Sequence, residues 1–208
     1  EGKILSEIIT IPLFDMLLDY SETFWKLNNI KLSEYYEFNK MCLKFYKEKT
    51  YIRVELFYKT FGIEDKREYI NSVYTPTLKG LLNKIDWNWL SEGIPVRFHG
   101  DFHFENILYS EKDNRFIFLD WRQDFGGNLE TGDIYYDLAK LNHGLIISHG
   151  LIAKNMFSIN IEGDNISYDF YRKQILVDCE NHFKEWIINN DYDYKKVRIL
   201  TALIYLNV

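Results

Sequence analysis

Three side chains within one short stretch have the types and spacing for metal-assisted proton chemistry. In Arg97-Phe98-His99-Gly100-Asp101-Phe102-His103-Phe104-Glu105-Asn106-Ile107-Leu108 a loop leaves an apolar segment, carries Asp101 and then Asn106, and enters a second apolar segment. After the polar stretch Ser110–Arg115, a third run, Phe116-Ile117-Phe118-Leu119, ends in Asp120-Trp121. Asp113-Asn114 supplies turn chemistry, so the second and third runs read as the two strands of a hairpin. A hairpin puts its outer ends side by side, which brings Asn106 near Asp120 and sets two oxygen ligands at one point. Hard oxygens with room for water and phosphate suit Mg²⁺. Asp101, on the same loop, is then positioned to accept a proton from a hydroxyl close to that metal.

The elements that must hold these residues are mostly helical. Ile8, Ile9, Pro12, Leu13, Met16, Leu17 and Leu18 lead into Tyr20, Phe24, Trp25 and Leu27 at close to helical spacing. A second helix is predicted over Leu32–Lys47, with Ser33 as its N-cap, and a third over Thr77–Leu90, entered through Thr75-Pro76. The segment Tyr51–Arg67 between them reads as helix. The texture changes at Ile94-Pro95, and Val96-Arg97-Phe98 reads as a short strand before the hairpin. A Gly-containing loop, Arg122–Gly132, precedes a helix starting near Asp133, whose side chain suits an N-cap. Beyond Tyr168, Phe170, Ile175, Leu176, Phe183, Trp186 and Ile187 anchor amphipathic helices. The expectation is one mainly α, α+β unit over 1–208: helical over 1–92, loop and hairpin over 96–121, helical again over 133–208.

Composition narrows the function classes. The 208 residues are 47% hydrophobic and 17% aromatic, which excludes a disordered chain. A formal charge of -6 argues against a nucleic-acid partner. Two cysteines, Cys42 and Cys179, make no disulfide framework, so a reducing, cytoplasmic setting is expected. The longest apolar stretches, Gly144–Ala153 and Leu200–Val208, are short of a membrane span. Glu1-Gly2-Lys3 lacks a signal pattern, and both ends look cut, which leads us to expect a piece of a longer protein.

His99-Gly100-Asp101 with His103 and Asn106, then Leu119-Asp120-Trp121, then Gly132-Asp133 and Asp137-Leu138-Ala139, resembles the aminoglycoside phosphotransferase and choline/ethanolamine kinase superfamily. That superfamily is similar in fold to protein kinases, whose catalytic loop reads H-R-D-x-x-x-x-N. The resemblance implies a kinase-like C-terminal lobe and an ATP- and Mg²⁺-dependent phosphotransferase acting on an alcohol group. It implies Asp101 as the base, Asn106 and Asp120 as metal holders against ATP, His99 as a brace of the loop, and Asp137 and His103 as supports. Asp124-Phe125-Gly126 spells a kinase metal motif but lies beyond the third run, so the metal is assigned to Asp120, and Asp124 is kept for substrate contact or loop structure. Gly100 replaces the Arg of H-R-D that pairs with a phosphorylated loop, which favours a small-molecule kinase over a protein kinase.

Glu1–Ser6 is similar to the hinge after an N-terminal lobe. No G-x-G-x-x-G or P-loop occurs in the chain, so the ATP-binding lobe is expected outside it, and the isolated chain is expected to be inactive. The family points to an amino-alcohol such as choline or ethanolamine, or to a sugar-like compound, for example in surface-polysaccharide biosynthesis. An aromatic box drawn from Trp121, Tyr135, Tyr136, Trp186 and Tyr194 would hold a quaternary ammonium. Asp124, Glu130 and Asp193 would attract a cationic acceptor. Two competing readings are a non-catalytic kinase-like binding module and a zinc site built on His99, His103 and Asp101. The zinc reading leaves Asn106 and Asp120 unexplained and finds no ligand spacing in His143, His149 or His182.

Overall fold

Thr10 opens the first long helix, its hydroxyl accepting from the Leu13 N–H at 3.3 Å while Pro12 occupies the first turn. The structure, a computed structural model, describes residues 2–26 and 32–206. It starts with a short strand β1 (Lys3–Ile4) and a single helical turn α1 (Leu5–Ile8), followed by this helix α2 (Ile11–Trp25). Leu13, Phe14, Leu17, Leu18, Ser21 and Trp25 form its buried face. Leu27 lies outside the described residues.

Helix α3 (Leu32–Leu43) runs without a break through a π turn (Lys44–Glu48) into α4 (Lys49–Phe61). The helix therefore continues well past Lys47, and Ser33 falls inside its first turn rather than at a cap. The extra residue of a π turn shifts the helix face. Here it falls where Phe45 and Tyr46 meet Phe125 and Tyr136. Gly62 ends α4 at φ +62°, its N–H bonded to the Tyr58 carbonyl.

The expectation of helix up to residue 92 fails at β2 (Glu68–Ile70) and β3 (Val73–Thr75), a hairpin turning on Asn71 and Ser72, both at positive φ. Two consecutive positive-φ residues make the primed turn that matches strand twist, which outweighed the helical reading of the preceding residues. The helix expected over Thr77–Leu90 is two pieces, α5 (Leu78–Leu82) and α6 (Trp87–Leu90). Thr77 caps the first and Asp86 the second, so a fresh cap restarts the chain where one helix was expected.

Strand β4 covers only Pro95–Val96 and pairs with β7 (Gly132–Asp133). Arg97 and Phe98 leave the ladder to enter the loop. A 3-10 turn, Phe104–Asn106, leads into β5 (Ile107–Ser110), which pairs with β6 (Arg115–Phe118) as expected, and β1 lies on the other edge of β5. Helix α7 (Ile134–Ile146) starts from Asp133, whose carboxylate accepts from the Tyr135 N–H. After α8 (His149–Ile152), residues expected to be helical form the hairpin β8 (Phe157–Glu162) and β9 (Asn165–Phe170). The period-two alternation Phe157, Ile159, Ile161 favours strand there. With β2 and β3 it makes a four-stranded sheet, β3-β2-β9-β8.

Helices α9 (Gln174–Asn189) and α10 (Tyr194–Tyr205) close the chain, with α10 packed along α7. One core joins α2, α7, α9 and α10 to Phe98, Phe102, Phe104 and Phe125 of the central loops. Both cysteines are buried and unpaired. Among the described residues no helix is long and apolar enough to cross a membrane. Small sheets beside dominant helices give the expected α+β class, with the mainly helical flanks corrected by two outlying hairpins.

Candidate active site

Asp137 organises the loop from below. Fully buried on the first turn of α7, it accepts the N–H of His99 and of Gly100, each at 2.7 Å, and the Trp25 indole N–H at 2.9 Å. Burial outweighs these donors and pushes its carboxyl up to about 6. Asp133, also fully buried, holds the loop's entry: it accepts from the Ile94 N–H at 2.9 Å and the Tyr46 hydroxyl at 2.6 Å. Burial likewise lifts it to about 6. Both carboxylates act as anchors for backbone, the support role expected for Asp137 and the cap expected for Asp133.

Gly100 turns the chain at φ +81°, where a Cβ would lie 2.4 Å from the Arg122 Cβ and 2.7 Å from the Phe98 ring. No other residue type fits that position without a shift. His99 is fully buried, its Nδ1 accepting the Asp101 N–H at 3.2 Å, and its ring lies 4.8 Å from the Trp121 ring. Burial drives its pKa down to about 4, so the ring is neutral and its proton sits on Nε2. The Arg122 N–H returns to the His99 carbonyl at 2.8 Å, stitching the loop to the segment after the hairpin.

This scaffold presents Asp101. One carboxylate oxygen receives Lys140 Nζ at 2.8 Å; the other receives Asn106 Nδ2 at 3.1 Å and faces His103 Nε2 at 3.4 Å. Burial alone would raise its pKa, but the hydrogen bonds and charges of His103 and Lys140 hold it far below the usual carboxylate range. The group is fully ionised and fixed in direction. His103 is itself held by Glu105 at 3.0 Å, and these two carboxylates overcome its burial and raise it to about 9.

Asn106 donates to the Asp101 carbonyl and carboxylate, which points its Oδ1 the other way, and no group of the described residues donates to that oxygen. The Leu119 N–H bonds the Asn106 carbonyl at 2.9 Å, so the hairpin does bring Asp120, the next residue, to the same end as Asn106. Asp120 is exposed at φ +51° and, among the described residues, accepts no hydrogen bond. Two uncommitted hard oxygens on one rim, beside an ionised carboxylate, fit Mg²⁺ in type and in charge.

The remaining candidates fall elsewhere. Asp124 accepts the Gly127 N–H at 2.8 Å and closes a turn, the loop-structure alternative for that residue. Trp121 is partly exposed, bonded to the Phe118 carbonyl and overlain by the Arg97 guanidinium. No two of Trp121, Tyr135, Tyr136, Trp186 and Tyr194 are in ring contact, and Tyr135 and Tyr136 are buried, so the described residues show no aromatic box. The fold brings the rings of His103, His143 and His149 near one another, at 6.1 and 5.8 Å. Among the described residues no group of three or more His, Cys, Asp or Glu has the geometry to hold a metal, which removes the zinc alternative.

Sequence reasoning missed Lys140, Trp25 and Tyr46. Lys140 was accessible to it: three residues after Asp137, it shares that helix face and must point at the same loop. The partnership of Trp25 and Tyr46 with the buried carboxylates spans 112 and 87 residues and left no local signal.

Residues 54–146, which contain every one of these loop residues, match the family model described as the phosphotransferase enzyme family, APH. No curated protein and no solved structure compared with the chain matches it.

Proposed function

We propose that this chain, whose residues 54–146 match the phosphotransferase enzyme family and support a place in the aminoglycoside phosphotransferase and protein-kinase-like superfamily, transfers the γ-phosphate of ATP to a hydroxyl of a small molecule. The observation that supports this most is Asp101, ionised and locked in direction beside the two free oxygens of Asn106 and Asp120. An alternative role as a binding module would require neither feature.

In phosphoryl transfer the attacking oxygen needs alignment more than a strong base, because the transition state is loose. A carboxylate held far below neutrality suits that need. It accepts the hydrogen bond of the acceptor hydroxyl and aims the oxygen, taking the proton late. Asn106 and Asp120 would hold Mg²⁺, which when bound neutralises charge on the phosphates. His99 and Asp137 keep the loop from moving as the hydroxyl exchanges with Lys140 at Asp101. We read the chain as the C-terminal lobe of such an enzyme, because the loop of Asp101 and Asn106 and the hairpin ending in Asp120 resemble the elements that lobe carries in the superfamily. The superfamily suggests a choline-, ethanolamine- or sugar-like acceptor.

The test replaces Asp101 with Asn in the full-length gene product and measures acceptor-dependent ADP release from Mg·ATP. A drop of about 10²–10⁴-fold is expected for loss of a positioned acid–base group. Unchanged release would overturn the assignment.

A further inference from the structure

The ground beside Asp101 is cationic. Lys49 Nζ lies 4.7 Å and the Arg122 guanidinium 5.2 Å from the centre of the same ring, Phe45. Arg122 rests against Gly100, the residue before Asp101, and Lys140 is bonded to Asp101 itself. Arg53, one turn along α4 from Lys49, adds to the field, and the carboxylates near this group are Asp124, engaged in its turn, and Asp101.

Elsewhere some cations are paired, among them Lys3 with Glu111, Lys66 with Asp164 and Arg172 with Glu180. Among the described residues Lys49, Arg53 and Arg122 make no ion pair, although Lys49 is partly buried. Burial, then Arg122, Arg53 and Lys140, lowers its pKa to about 8. Packing like charges together out of water costs free energy that an anion returns when it binds. Lysine and arginine around one ring are also cations that phosphate and carboxylate select, and Arg122, whose Nε donates to the Asp124 carbonyl, keeps its terminal N–H groups for one.

We propose that the acceptor is a small polyol bearing a phosphate or carboxylate, its anionic end on Lys49 and Arg122 and its hydroxyl at Asp101. This deepens the phosphotransferase reading and rests on it. It also departs from the amino-alcohol that the superfamily suggests. A groove of about 400 Å³ between α3 and the loop before β7 carries Glu34, Glu37 and Glu130, but neither Asp101 nor its loop lines it.

The test titrates the full-length gene product with glycerol 3-phosphate, glycerate, glycerol and choline, and repeats the series with Lys49→Gln and Lys49→Arg. Glycerol 3-phosphate or glycerate is expected to bind at least tenfold more tightly than glycerol or choline, and which of the two wins identifies the anion. Lys49→Gln should weaken the preferred anion at least tenfold and Lys49→Arg less than threefold. Choline binding tightest in the wild type, a comparison that needs no variant, would overturn the proposal. So would Lys49→Gln weakening Mg·ATP while leaving the anions untouched, because the cations would then serve the nucleotide. An intact anion site in a protein whose turnover survives Asp101→Asn would refute phosphoryl transfer and leave the anion site standing.

Discussion

The loop around Asp101 and the outlying sheet β3-β2-β9-β8 are both built from short irregular segments, yet they are held in opposite ways. The loop hangs from Asp133 and Asp137, both fully buried and both spent on backbone N–H groups. Every residue of β8 is exposed, with Ile159 60% and Ile161 66% accessible, and the hairpin is held by its ladder, two parallel pairings with β2, the Lys66–Asp164 ion pair and the Tyr168 N–H on the Asn71 side chain. Buried carboxylates therefore fix the chain at the site, and exposed pairings fix it at the outlying sheet.

Asp137→Ala should break that contrast most. It strands two loop N–H groups and an indole N–H in the core, at roughly 1–3 kcal/mol for each unsatisfied donor. We expect a loss of about 3–5 kcal/mol in urea unfolding and no measurable turnover.

His103 gives the next effect. Its raised pKa means that the folded state binds a proton more tightly than the unfolded chain, so its stabilisation is complete below about pH 6.5 and is lost as pH rises through about 9. Unfolding free energy should fall by about 2–3 kcal/mol across that window. His103→Gln should abolish the slope, and a slope that persists in that variant would assign it to another group.

The smallest effect belongs to the sheet. Ile161→Ser should change stability by less than about 0.5 kcal/mol, as surface substitutions do. A loss several times larger would mean that this face is covered in solution and would erase the contrast.

The site was more legible in the sequence than the fold around it. Asp101, Asn106 and Asp120 could be brought together because a hairpin is a local rule, and the pairing of Ile107 with Phe118 obeys it. Asp137 was named only because Asp137-Leu138-Ala139 resembles a superfamily motif; nothing in its spacing alone pointed to the loop. The two outlying hairpins were missed although the second carries a period-two alternation at Phe157, Ile159 and Ile161; the pairing of β2 with β9 that joins them spans nearly a hundred residues and left no local signal. The helix through Lys44–Glu48 was cut short because a π turn breaks the 3.6-residue repeat by which helices are recognised. The local charge was not legible in the total: a chain of net charge -6 sets Arg53, Arg122 and Lys140 close enough to Lys49 to act on it.

Asp101 is proposed to direct a hydroxyl onto the γ-phosphate of ATP. Phosphorus NMR of the full-length gene product with Mg·ATP and a panel of hydroxylated acceptors reads it directly, through the new phosphoester resonance. The wild type should form that product, and Asp101→Asn, folded with an unchanged melting temperature, should form it at least about a hundredfold more slowly. Equal rates in the two proteins, or no phosphoester from the wild type with any acceptor, would contradict the account.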